Sequence, residues 1–207
     1  MKNAKKLILL ALCAVLLVGA SVMGTLAYLQ IQTETVTNTF TVGNVTIALK
    51  EYGLNDDGTK NATELDASTT TVNVDNIKLV PGRTIQKHPF VTVAAKSEKC
   101  YLFVKVVNNI AGVESTEADY DNLAKQMSAN GWTALTGVTD VYYKVVETST
   151  AEQKFDIFTA FKVNPEATNE SIKDYAGKTI DITAYAIQFE GFATPEAAWT
   201  AGSFPNT

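Results

Sequence analysis

The sequence contains a single histidine and lacks the residue spacings of common hydrolases. A zinc peptidase of the usual kind needs two histidines one helical turn apart and a glutamate base. His88 precedes Pro89 in an extended segment, where such a pair cannot form, and no Gly-x-Ser-x-Gly elbow is present. We therefore predict that the protein is not an enzyme, with no catalytic residue, cofactor or metal site, and we interpret His88 as an ordinary strand or turn residue.

Cysteine is almost as scarce, because Cys13 and Cys100 are the only two in the chain. Cys13 lies in an apolar segment that we interpret below as a removable leader, so Cys100 would have no partner for an intramolecular disulfide. Cys100 opens a strand-like run that continues to Val107. We predict that it is a small buried hydrophobic residue rather than a reactive thiol, with an intermolecular disulfide as the alternative.

Basic residues are outnumbered, with 17 Lys and Arg against 22 Asp and Glu and a net charge of -5. Lys2, Lys5 and Lys6 are the only charged residues among the first 27, so the chain after residue 27 has 14 basic and 22 acidic residues and a net charge of -8. Such a chain repels nucleic acid and anionic lipid surfaces. We expect no nucleic-acid partner and, after removal of the leader, no membrane association.

The first 27 residues have the organisation of a secretory signal peptide. The three lysines precede an unbroken apolar run, Leu7–Val18, which small residues follow. Thr25 and Ala27 stand at the minus-three and minus-one positions of a cleavage site, which predicts a mature chain that begins at Tyr28 and is secreted. A retained membrane helix over Leu7–Val22 and a lipidated Cys13 are the alternatives.

The chain after the leader is rich in threonine, valine, isoleucine, tyrosine and phenylalanine, which recur in short runs between turn residues. This pattern is typical of all-β proteins. We predict a jelly-roll-like antiparallel β-sandwich over residues 41–207, with about eight strands and one or two short helices. The predicted strands lie within residues 35–50, 70–80, 84–95, 100–107, 138–148, 155–163 and 179–189.

Several local predictions depend on turn and cap residues. Residues 53–66 are predicted to form a loop, and a turn is favoured there over a calcium site at Asn55, Asp57 and Thr59, because Lys60 occupies the position where an EF-hand needs glycine. Pro81-Gly82 predicts a tight turn.

Two helices and one strand are predicted from spacing. A helix is predicted over Glu117–Asn130, capped by Thr116 and Asp119. The spacing i, i+3, i+4 and i+7 that indicates it is formed by Tyr120, Leu123, Ala124 and Met127. Thr194-Pro195 predicts the start of a second helix that ends at Gly202. Thr179–Phe189 alternates with apolar residues on both faces, which predicts a central strand.

One stretch carries a family resemblance. The segment Gly24–Leu49, with its GTLAYL and NTFTVGNV runs, resembles the amino-terminal signature of the TasA and camelysin (CalY) proteins of Gram-positive bacteria, and the resemblance recurs at Leu79–Ile85 and Ala184–Gly191. It implies a dedicated signal peptidase and a secreted subunit of a biofilm-matrix or cell-surface fibre. Because camelysin relatives carry a metallopeptidase label, it also implies a peptidase as a lesser alternative.

The same resemblance implies that subunits assemble by donor-strand exchange, in which one subunit adds a strand to the sheet of the next. The donor would be residues 28–40, where Tyr28, Leu29, Ile31 and Phe40 supply the apolar side chains. The expected partners are further copies of the chain and an accessory matrix protein. A monomeric secreted adhesion module, in which Tyr28–Phe40 is only a lead-in to the first strand, is the alternative.

Overall fold

The computed structural model describes residues 44–67 and 77–205, together with Lys6 and Cys13. The chain separates into two units, Met1–Thr41 and Val42–Thr207, and the fold described below belongs to the second. The predicted cleavage residues (Thr25, Ala27 and Tyr28) and the other predicted donor residues (Leu29, Ile31 and Phe40) lie outside the described residues, so they remain predictions.

The described part of the second unit is mostly β-structure, with three short α-helices. The strands are β1 (Ile47–Leu54), β2 (Lys60–Asp66), β3 (Thr84–Ile85), β4 (Pro89–Val93), β5 (Cys100–Asn108), β6 (Thr133–Ala134), β7 (Val141–Val146), β8 (Gln153–Asp156), β9 (Phe161–Lys162) and β10 (Ile180–Gln188). The helices are α1 (Leu123–Ala129), α2 (Asn169–Lys173) and α3 (Pro195–Ala201), and a 3-10 turn spans Ala111–Val113.

The strands form two four-stranded sheets and one two-stranded sheet, and every strand pairing among the described residues is antiparallel. The first sheet has the order β2-β1-β4-β8, the second has the order β10-β5-β7-β6, and β3 pairs with β9. Side chains of β4 and β5 meet in one apolar cluster, so the two large sheets enclose a common core. An antiparallel, mostly β fold is therefore established, and it is compatible with a sandwich.

The core is densest where β4 faces β5. Val91, Leu102 and Val104 are 0 % exposed, and Val93 is 1 % exposed. Burying an aliphatic side chain of this size contributes about 1.5–3 kcal/mol. The prediction that Cys100 is a buried small residue is confirmed, because its side chain is 0 % exposed within this cluster.

A second cluster covers the opposite face of the β10-β5-β7-β6 sheet. Trp199 of α3 packs edge-on against Phe103 of β5, with ring centroids 5.2 Å apart, and lies 5.5 Å from the ring of Tyr185 on β10. The predicted bounds of α3 are confirmed: the Thr194 side chain accepts a hydrogen bond from Ala197 N–H, Pro195 occupies the first turn, and Gly202 ends the helix. This sheet is thus buried on both faces along β5.

Two predictions are wrong: the loop at residues 53–66 and the single strand at residues 155–163. The predicted loop 53–66 is a hairpin, because β1 continues to Leu54, a tight turn at 55–59 follows, and β2 pairs with β1. The predicted strand 155–163 is two strands, β8 and β9, separated at Ile157 and Phe158, which are both 0 % exposed. Residues 155–163 contain no glycine or proline that would mark that bend.

Three further boundaries differ from the predictions. Helix α1 begins at Leu123 rather than near Glu117, because the Asn122 side chain, not Thr116, caps it by accepting from Lys125 N–H. The predicted strand 84–95 is interrupted between Ile85 and Pro89, and residues 77–80 of the predicted strand 70–80 are irregular. The Pro81-Gly82 turn is confirmed, since Arg83 N–H donates to Val80 O at 2.9 Å and Gly82 has φ +71°.

Candidate functional site

The candidate site is the edge of β10 that no other described strand pairs with. The predicted alternation of this strand is confirmed: Ile180, Ile182, Ala184 and Ala186 pack against the core between the sheets, whereas Tyr185 and Ile187 join the cluster around Trp199. The predicted central position is wrong among the described strands, because β10 pairs with β5 on one side and ends the sheet on the other. Helix α3 covers the second face of β10. Both faces of the strand are therefore apolar, as in a central strand, although β10 lies at the edge.

The hydrogen bonds at the two ends of β10 determine which backbone groups point outward. Thr179 O accepts from Asn109 N–H at 3.1 Å, and Phe189 N–H donates to Lys99 O at 2.8 Å. Odd-numbered residues therefore bond to β5, and in an antiparallel pair the intervening residues direct their N–H and C=O groups the other way. The backbone groups that face outward belong to Ile180, Ile182, Ala184, Ala186 and Gln188.

The β10 edge lacks the features that protect the other sheet edges in the described part of the chain. Edge strands usually avoid association by being short, charged, bulged or proline-containing. The β2 edge has charged residues and a bulge, β6 has two residues, and β8 has four residues of which two are charged. The β10 strand has nine residues, no proline and Asp181 as its single charge, so among the described edge strands it offers the longest template for another strand.

The core is also incompletely covered beside β10. Ile180 and Ile182 of β10, and Ile47 and Leu49 of β1, are only partly buried, although they pack against the same cluster whose members on β5 are almost fully buried. Since apolar surface that stays in water forfeits about 25 cal/mol per Å², a strand added at this edge would gain side-chain burial as well as hydrogen bonds.

The Asn55–Thr59 segment is a turn, as predicted. Asp57 Oδ1 accepts hydrogen bonds from Thr59 N–H at 2.9 Å and from Thr59 Oγ1 at 2.6 Å, and these bonds lower the pKa of Asp57. Asn55 N–H donates to Thr59 O at 2.8 Å, which closes the hairpin. Within residues 44–67 and 77–205, no group of three or more His, Cys, Asp or Glu side chains is arranged to hold a metal ion.

His88 lies at the start of β4, next to Asp156 of β8. Its Nε2 is 3.0 Å from Asp156 Oδ1, but neither atom has a well-directed hydrogen bond. The contact is an ion pair only when the imidazole is protonated. The ring lies 5.2 Å from that of Tyr52 and 6.4 Å from that of Phe90. The structure therefore places His88 in an aromatic cluster with one carboxylate beside it.

Cys100 carries no reactive thiolate. Its side chain is buried, and burial raises the pKa of the thiol to about 11, so the sulfur is protonated at neutral pH.

Two polar residues in apolar surroundings, one buried and one half-buried, had not been predicted. Lys105 on β5 is 8 % exposed, and its Nζ has no hydrogen-bond partner among the described residues. Glu114 Oε1 accepts from Leu123 N–H at 2.8 Å at the start of α1, and burial raises the pKa of this carboxyl. In the sequence, Lys105 was visible only as one charge in an otherwise apolar strand, and Glu114 gave no signal.

Comparison with protein-family models, with curated proteins and with solved structures returns no match to this chain. In the part of the chain that the structure describes, no helix has the length and apolar character needed to span a membrane.

Proposed function

We propose that the protein is a secreted structural subunit of an extracellular biofilm-matrix or cell-surface fibre. In this proposal the leader 1–27 is cleaved, the β-domain has a jelly-roll-like arrangement, and residues 28–40 of one copy add as a strand to β10 of the next. The resemblance of Gly24–Leu49 to the TasA and camelysin proteins supports the function, and the β10 edge supports the mode of assembly. Each copy would use two different surfaces, so the contacts run head to tail and build a filament when they do not close into a ring.

The observation that carries the proposal is the combination of outward backbone groups and half-buried apolar side chains at one edge. An added strand would hydrogen-bond to Ile182, Ala184 and Ala186 and would cover the half-buried residues of β1 and β10. Main-chain hydrogen bonds supply affinity in such β-augmentation, and alternate side chains supply specificity. The donor segment of 13 residues is longer than the nine residues of β10, so its length is sufficient.

The position of Asn44 favours exchange between copies. Asn44 O accepts from Glu98 N–H at 3.0 Å, and the adjacent Lys99 bonds to Phe189, so Asn44 lies at the carboxyl-terminal end of β10. An antiparallel donor that pairs through Phe40 would place Phe40 at the opposite end, about 30 Å away. Four residues reach about 14 Å. Such a donor therefore comes from another copy. We take the donor to be antiparallel to β10 because all pairings among the described strands are antiparallel.

The test compares purified protein that begins at Tyr28 with protein that begins at Thr41. We expect filaments in electron micrographs and fast-sedimenting material only from the first, with similar near-ultraviolet circular dichroism for both monomers. Equal assembly of the two proteins would refute the donor role. A protein beginning at Tyr28 that stays monomeric in size-exclusion chromatography at rising concentration would instead support the monomeric adhesion module.

A further inference from the structure

A cavity of about 880 Å³ opens beside the first residues of β10, at the end of that strand opposite Asn44. Its volume lies in the range of pockets that hold small molecules. Aliphatic and aromatic side chains from several elements line it: Leu54, Ile85, Ile110, Phe161, Ile172 and Ile180.

The cavity has a buried floor and a more exposed wall. Phe161, Ile85 and Ile110 are 1 %, 6 % and 7 % exposed, whereas Ile172 and Tyr175 are half-buried. The Tyr175 ring lies so close to Gly112 that a Cβ there would be 1.9 Å from the Tyr175 hydroxyl. Gly112 is therefore required for the position of this part of the wall.

The charges around the cavity are mostly positive. Four lysines line it, and two of them are neutralised: Lys87 contacts Glu51 at 2.7 Å, and Lys173 contacts Glu170 at 2.7 Å. The other two, Lys78 and Lys178, are exposed and form no ion pair with a described residue.

One carboxylate, Asp181, lies among the lining residues that the structure describes, and it accepts a hydrogen bond from Asn109 Nδ2 at 3.1 Å. In a chain with a net charge of -5, this cluster of cations is a local attraction for anions.

We propose that this cavity binds a fatty-acid anion, with the aliphatic chain against the apolar wall and the carboxylate at Lys78 and Lys178. A hydrophilic anion would gain nothing from the floor, and a neutral alkane would gain nothing from the two ammonium groups. Each CH₂ group buried in the cavity strengthens binding by about fourfold. The proposal is independent of fibre assembly, because its readout is ligand binding and not filament formation.

The test is calorimetric titration of the purified protein with decanoate, octanoate and hexanoate, and with 1-decanol as the neutral analogue. We expect affinity to fall by about fourfold for each CH₂ removed. The Lys78→Gln/Lys178→Gln variant should bind decanoate about three- to tenfold more weakly, because exposed ion pairs are modest, and should bind 1-decanol as the unchanged protein does. Lys96→Gln/Lys125→Gln, which changes two exposed lysines outside the cavity, is the matched control and should have no effect.

A second variant tests the location. Ala176→Trp adds bulk to an exposed lining residue and should weaken binding of decanoate and of 1-decanol together, with unchanged circular dichroism. The proposal is overturned if decanoate does not bind, if its affinity is indifferent to Lys78 and Lys178, or if Ala176→Trp leaves both ligands unaffected.

Discussion

Replacing Ala184 by proline would block the β10 edge while leaving β10 paired with β5. The Ala184 N–H points away from β5, so proline at this position removes no hydrogen bond of the β10–β5 pair. Proline is tolerated in edge strands when its missing N–H faces outward. Proline shifts φ at residue 184 toward -65°, which should lower the free energy of unfolding by about 1 kcal/mol.

The cost to assembly is larger. An incoming strand would lose the Ala184 N–H, and the proline ring would obstruct the bonds on either side of it. At about 1 kcal/mol net for each hydrogen bond, the loss is roughly 2–4 kcal/mol. This corresponds to a subunit affinity that is about 30- to 1,000-fold weaker.

The assay is sedimentation and negative-stain electron microscopy of the Ala184→Pro protein, with urea unfolding to check the fold. Glu64→Pro is the matched control. Ala67 N–H bonds to Leu49 O, so the alternation of the β1–β2 pair directs the Glu64 N–H outward at the edge of β2. We expect Glu64→Pro to assemble like the unchanged protein and Ala184→Pro to remain monomeric. A folded Ala184→Pro protein that assembles at the normal rate would refute the assignment of β10.

Three further outcomes follow from buried or half-buried polar groups. Lys105→Met should raise the free energy of unfolding in urea by about 1–3 kcal/mol, because it replaces a buried amino group that has no hydrogen-bond partner among the described residues by an apolar group of similar length. A decrease would show that Lys105 has a stabilising partner. Burial raises the pKa of Glu114 above 4.5, so the folded state binds the proton more tightly than the unfolded state, and stability from this group should fall as pH rises from 4.5 through the raised folded pKa. Urea unfolding measured across pH should show that decline in the unchanged protein and not in Glu114→Gln. Glu114→Ala should lower the free energy of unfolding by about 1–3 kcal/mol, because Leu123 N–H loses its acceptor. An identical pH dependence in Glu114→Gln would contradict the direction of the Glu114 pKa shift. Cys100 should resist iodoacetamide at pH 7.5 in the folded protein and react in urea, as mass spectrometry would show, and rapid alkylation of the folded protein would contradict its burial.

Structural features that depend on residues a few positions apart were predicted well from the sequence. Helix α3 was bounded correctly because Thr194, Pro195 and Gly202 act through their own backbone neighbours. The Pro81-Gly82 turn was predicted for the same reason. The alternation of β10 was also read correctly, because a strand exposes its two faces with a period of two whatever its place in the sheet.

Features that depend on distant residues were missed. The Asn122 cap at the start of α1 is local, but two other contacts there are not: the Glu114 carboxylate accepts from Leu123 N–H, and the Tyr120 hydroxyl accepts from Lys162 N–H at 2.9 Å. The break between β8 and β9 lies at residues 157–160, where Ile157 and Phe158 are buried, Thr159 is exposed, and no glycine or proline is present. The edge position of β10 depends on which strands pair with β5, and one strand's own residues do not determine that.

The central claim is that β10 accepts residues 28–40 of another copy, and a cryo-electron microscopy map of filaments grown from protein beginning at Tyr28 tests it most directly. The account predicts an antiparallel strand hydrogen-bonded to Ile182, Ala184 and Ala186 and traceable to Phe40 of the neighbouring subunit. A filament in which the β10 edge is open, or is occupied by a strand of the same chain, would contradict it.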